Sequence, residues 1–375
     1  MQKKLIALAI AGAIAAPAAM AADDGVTIYG QLDMSYDSIR TNAASGTGNA
    51  DGTLNRISSN ASRIGFKGKE DLGNGNFASW QIEQQIDMDG ANSNSTIGAT
   101  GASSYGSPAG NTWATRNTFV GLGGGWGEVR MGYHDTPHKM STVALDIFVD
   151  TAGDYNNVIG NANGSVVFDN RLKNAIAYIS PNFSGLTVAL ATGTQNEIGT
   201  QGNPDPKAVS FGAMYSNGPI YVGYGYEKLT NNALIANTTD ATDNKLGVGY
   251  SFDMGKVAVV YDKMSTSGGT AGGQTAADRS AWYLNGQINA GVGAVKLAYG
   301  KMNNGKVANQ DTGAKWWALG YDYPMSKRTK LYAVYTKTTN NTNATYAVGS
   351  KVGSYYLPGA GEDPSTVSLG IRHSF

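Results

Sequence analysis

Cysteine is absent from this chain of 375 residues. That removes disulfides, thiolate nucleophiles and cysteine metal sites together. Charge is scarce as well: Asp, Glu, Lys and Arg make up 15% of residues, against roughly a quarter in a soluble domain. Beyond residue 21 no apolar run is long enough for a helical membrane span. No His-Glu-x-x-His or Gly-x-Ser-x-Gly pattern occurs. His134 and His138 lie four apart, but Pro137 interrupts the helix that would pair them on a metal. Asp87–Gly90 starts like a calcium loop, and the following ligand spacing fails. The glycines of 121–127 sit in a hairpin rather than before a helix, so they cradle no phosphate. No enzyme activity, metal, cofactor or nucleic-acid partner is expected.

What is present is glycine (51) and tyrosine (21). The first 21 residues form a separate unit. Lys3 and Lys4 precede an apolar run that ends on Ala19-Met20-Ala21, the pattern of a secretory signal peptide cut after Ala21. Removing it leaves 26 basic side chains against 28 acidic, a net charge of about −2. Residues 22–375 then read as a single domain. A secreted, cysteine-free, glycine- and tyrosine-rich chain with little charge suits an outer-membrane β-barrel.

Alternating segments recur along the whole domain. Ile220, Val222, Tyr224 and Tyr226 interleave with Tyr221, Gly223, Gly225 and Glu227. Leu246, Val248, Tyr250 and Phe252 interleave with Gly247, Gly249 and Ser251. Side chains alternate between the two faces of a strand, so each segment has one greasy and one polar face. Sixteen such strands are expected, from 26–37 and 61–70 through 244–253 to 365–375. Short connections such as Leu72–Asn76 take turns with long ones such as 38–60, 89–113 and 134–170. Short periplasmic turns and long external loops are what a membrane barrel sorts this way. A sheet in lipid may leave no edge unpaired, so the last strand should pair with the first. Val367, Leu369, Ile371 and Phe375 would then face lipid, and Ser368, Gly370 and Arg372 the lumen.

The same parity sends charge inward. Arg63, Lys67, Lys69, Arg116, Arg130, Arg171 and Lys173 form an expected basic wall, with Asp33, Glu83, Asp87 and Glu128 also inside. Charge on the lipid face would cost about 2–4 kcal/mol near mid-membrane. Within 134–170, the stretch Val143–Val149 is too apolar for an external loop. Asp146, Asp150 and Asp154 recur every four residues, which would set them on one side of a helical turn. A loop folded into the lumen reconciles both features and would oppose its acids to the basic wall, at a constriction. Trp80, Trp282 and Trp317 take outward parity and read as an interfacial girdle.

The chain resembles the general diffusion porins of Gram-negative outer membranes, close to the β-proteobacterial, Neisseria-like group. The residues that carry the resemblance are VTIYG (26–30), SRIGFKGKEDLGNG (62–75), RNTFVGL (116–122), SPNFSGL (180–186), SKRT (326–329) with LYA (331–333), and GIRHSF (370–375). The resemblance implies an all-β, sixteen-stranded antiparallel barrel whose third external loop folds inward. It implies a homotrimer in the outer membrane, in contact with lipid and lipopolysaccharide, passing small ions and hydrophilic solutes by diffusion. It makes Phe375 a signal to the assembly machinery. It assigns Arg63, Arg116 and Arg130 to the basic wall, and Asp146 and Asp150 to the loop acids by approximate match. Here the loop reads Leu145–Asp150, LDIFVD, in place of the family's frequent Pro-Glu-Phe-Gly-type turn. Two other readings stand beside it. A solute-specific channel would carry an aromatic track, and Tyr221, Tyr283 and Trp316 look scattered. An enzyme or adhesin on a barrel would need a catalytic set or a long external domain.

Overall fold

The computed structural model describes residues 25–42, 52–89, 113–194, 207–230, 240–267, 278–306, 311–350 and 356–375. The expected signal peptide lies outside the described residues, as do parts of the long connections.

Sixteen antiparallel strands close on themselves. Thr27–Thr41 pairs with the last strand, Ser365–Ser374, on one side, and with Gly52–Ser59 and Arg63–Gly73 on the other. Those last two segments are one barrel strand in two pieces. They meet the upper and lower halves of Thr27–Thr41, and Ala61, at φ +54°, makes the break between them. Each later strand pairs with its neighbour in order round to Ser365–Ser374. Strand positions agree with the sequence reading to within a few residues almost everywhere. The exception is Gly52–Ser59, which had been assigned to the first long connection.

The alternation sorts as the periodicity requires. In the last strand Val367, Leu369 and Ile371 are 46, 54 and 48% exposed, whereas Thr366 and Ser368 are fully buried. Apolar side chains thus cover the outside, where lipid would solvate them, and the polar set meets the lumen and its contents. At the seam the backbones of Gly30 and Phe375 exchange hydrogen bonds at 3.0 and 3.1 Å. A Cβ on Gly30 would lie 2.4 Å from the Phe375 ring, so the ring can lie flat over the first strand only because residue 30 has no side chain.

The core lies inside the barrel. The segment from Thr136 to Asn170 crosses the lumen, and Ala144, Leu145, Ile147, Phe148, Ala152 and Tyr155 of it are buried. They pack on Tyr221, Val260, Tyr283 and Trp316 of the wall. Full burial of a large apolar side chain contributes about 1.5–3 kcal/mol, so this cluster alone can hold the segment in place. Among the described residues no helix is long and apolar enough to cross a membrane.

Candidate functional site

The inward loop starts at the end of strand Gly127–Asp135. Thr136 caps a short helix, Pro137–Met140, by accepting from the Lys139 amide at 3.2 Å. Pro137 opens that helix, where its missing N–H costs nothing. The helix rests on strands Lys207–Asn217 and Ile220–Thr230 at close range. A Cβ on Gly223 would fall 1.8 Å from the Ser141 carbonyl oxygen, so only glycine lets the loop seat this deeply. The loop then runs through a 3-10 turn, Val143–Leu145, and a second, Tyr155–Asn157.

Between those turns the expected helix does not form. Asp150 has φ +57° and the chain reverses there, so a spacing of four does not put the three acids on one face. Asp146 turns back into the loop. It accepts from the amides of Phe148 (2.8 Å) and Tyr155 (3.2 Å) and from the Tyr283 hydroxyl (3.2 Å). Burial and the neighbouring Asp154 push its carboxyl well above the ordinary range. Asp154 caps the amides of Asn156 (2.8 Å) and Asp150 (3.0 Å). Both are under 8% exposed. The Asp150 side chain keeps 18% of its surface open and reaches across to the wall.

At the wall, Arg63 Nη1 donates to Asp150 Oδ2 at 3.0 Å. Arg372 Nη2 donates to the carbonyls of Val149 (2.9 Å) and Asp150 (3.1 Å), and its Nε to Asp33 at 2.6 Å. Burial opposes charge on Asp150, but Arg63, Arg372 and Arg116 hold its carboxyl at about 2. Arg116 Nε donates to Glu83 at 2.6 Å, and Tyr29 donates to the other Glu83 oxygen at 3.0 Å. Arg171 donates to Asn117 (3.0 Å) and pairs with Asp135 (3.2 Å). Arg63, Arg116, Arg171 and Arg372 thus converge around the loop tip.

The other expected wall residues lie elsewhere. Arg130 pairs with Glu128 at 2.8 Å, contacts His134 at 2.9 Å and covers the Phe119 ring at 4.4 Å. Lys67 stands over the Tyr29 ring at 5.2 Å. Lys173 is half-buried next to Asn174, whose φ of +46° breaks the alternation, and it is not among the arginines at the tip.

Several lumen charges had not been singled out. Arg372 had the right parity. Arg279 donates to the Val158 (2.9 Å) and Asn161 carbonyls of the loop and to Asp262 at 2.8 Å. Lys245 and the Tyr155 hydroxyl both bond Asp169. His138 is fully buried, with Nε2 3.1 Å from Asp243 and Nδ1 3.3 Å from Asp169. Burial and Lys245 oppose its protonation, but Asp169 and Asp243 lift it to about 9. His134 instead faces Arg130 and its own strand, so the two histidines point apart. The inward aromatics are not scattered. Tyr283 lies 5.8 Å from Tyr155 and 6.1 Å from Trp316, and Tyr221 donates to the Ser141 carbonyl at 2.9 Å. They anchor the loop instead of lining a track.

A closed barrel, apolar outside and charged within, with a loop folded across its lumen, is an outer-membrane channel. The chain belongs to the Gram-negative porin family, whose model matches residues 7–343. It is 30% identical to outer membrane porin protein 32 of Delftia acidovorans over the full length of both chains. It is 28% identical, again over both full lengths, to the major outer membrane protein P.IB of Neisseria meningitidis serogroup B. Among solved structures it is similar to an anion-selective porin from Comamonas acidovorans, with a TM-score of 0.74 and 25% identity over 94% of this chain and 99% of the other. The protein is a general porin of the Gram-negative outer membrane, a water-filled path for diffusion of ions and small hydrophilic solutes.

Proposed function

We propose that the pore narrows between Asp150 at the loop tip and the arginine-lined wall, and that it favours small anions. One observation carries the anion preference. Lys296 and Lys330 both donate to the single carboxylate of Asp322, at 2.6 and 2.7 Å, on the lumen wall at the short-turn end. Two cations on one anion leave a positive charge for passing ions. Arg63 and Arg116 are each paired with one acid, so they orient anions without adding net charge, while Arg171 shares Asp135 with Lys139. In this reading Lys67, Arg130 and Lys173 extend the wall, and Asp146 and Asp154 shape the tip that presents Asp150. The anion-selective neighbour agrees with this sign.

The rest of the proposal follows the same logic. The channel catalyses nothing. Residues 1–21 are removed on export. Phe375 closes the seam and is read by the assembly machinery, and lipopolysaccharide surrounds the outer rim. The functional unit is a homotrimer. Strand Thr118–Gly124 has seven residues, about 18 Å of height once tilted. An apolar band of about 25 Å needs more than that, so a neighbouring copy covering this wall would shield it.

Planar-bilayer recording under a salt gradient tests the proposal. Three equal conductance steps and an anion-signed reversal potential are expected. Lys296→Gln with Lys330→Gln should move that potential toward cations. An unmoved potential in the folded double variant overturns the assignment.

A further inference from the structure

We infer that the outer face over the closure seam binds an anionic phospholipid of the periplasmic leaflet. A groove of about 630 Å³ lies there. Cross-strand register builds it from two rows. Met34, Ile371, Leu331 and Tyr323 stand opposite one another across four strands. One step toward the external side, Tyr36, Leu369, Ala333 and Tyr321 do the same, with Ile57 beside Tyr36. Ala333 is the short side chain among long ones and forms the floor. Tyr36, Leu331, Leu369 and Ile371 are 41 to 54% exposed, so the walls meet the hydrocarbon and have no protein cover within this chain.

Charge picks the occupant. One register step toward the short-turn end, His373 pairs with Thr329 and is exposed. Beyond it lies the exposed turn carrying Lys327 and Arg328, tied to the last strand by Ser374 N–H donating to the Arg328 carbonyl at 2.8 Å. Asp322 has the opposite parity and is consumed inside by Lys296 and Lys330. Short turns face the periplasm, so two basic side chains and a histidine sit at headgroup level, directly below an apolar slot. An acyl chain in the slot places its phosphate among them. Each basic side chain near a headgroup favours an anionic lipid about fivefold.

The test is native mass spectrometry of the purified full-length porin, exchanged into mixed micelles of phosphatidylglycerol and phosphatidylcholine. Wild type should retain phosphatidylglycerol at least about fivefold over phosphatidylcholine. Ala333→Trp, which fills the floor from the lipid side, should lower retention of both lipids. Lys327→Ser with Arg328→Ser should erase the preference and keep total binding. No preference in wild type, or full retention in Ala333→Trp, overturns the inference. So does disulfide crosslinking between copies through Ala333→Cys, a unique thiol in this chain, because the groove would then be a subunit contact.

Discussion

Asp150 is the residue on which pore chemistry turns. Its carboxylate faces Arg63, and its backbone carbonyl accepts from Arg372. Asp150→Asn would keep the tip's shape and release the Arg63 charge to the pore. The reversal potential under a salt gradient should therefore move further toward anions, and a shift toward cations would contradict the assignment. His138 supplies a pH dependence. Its pKa rises from 6.5 to about 9 on folding, so protonated His138 stabilises the seated loop. That contribution is full below pH 6.5 and is lost as pH climbs through about 9. The temperature at which the folded band disappears on a gel should drop across this window. His138→Leu should start lower and stay flat, and an equal drop in that variant would assign the effect to other groups. Asp150 behaves in the opposite sense: its contribution is present above about pH 4 and fades as pH falls through about 2.

At the scale of elements, the loop is a strap held at both ends by groups far away in the chain. Arg279 shows this best, since its guanidinium spans two loop carbonyls and Asp262 with no surface exposed. Arg279→Leu would leave the Asp262 carboxylate buried without its cation, a loss on the order of 3–5 kcal/mol. The barrel should still close, because its strand pairings are untouched. Single-channel current should become noisier as the return limb of the loop loosens. Current as quiet as wild type would show that the apolar contacts of Phe148 and Tyr155 suffice. The same element explains where sequence reading succeeded and where it failed. The excess of apolar residues at Val143–Val149 was visible and required burial. The positions of Asp146 and Asp154 were not, because the reversal of the backbone at Asp150 separates residues that a helix would align.

For the whole molecule, closure is the stabilising event, in a chain without disulfides. Every strand edge is satisfied once Thr27–Thr41 meets Ser365–Ser374. The tightest point of that seam is Gly30 under Phe375. Gly30→Val should block the ring and cut the yield of heat-modifiable folded barrel severalfold. Adding Phe375→Ala should restore part of it by removing the obstruction. No rescue would mean that Gly30 is needed for a reason other than this contact.

The order and number of strands and the faces they present were legible from local patterns, because a period of two and the length of a connection need no distant partner. The inward direction of Arg63, Arg171 and Arg372 followed from the same parity, whereas Arg116 shares the parity of the outward Val120 and Leu122 and turns inward because it precedes the strand Thr118–Gly124. The convergence of these arginines on one loop residue did not follow from parity, since Arg63 and Arg372 come from opposite ends of the chain and meet only when the cylinder closes. Nor could any local pattern reveal that Arg279, Lys245 and Asp243 hold the loop, each from more than 70 residues away. Periodicity sets which face a side chain takes, and only the closed barrel sets what stands opposite it.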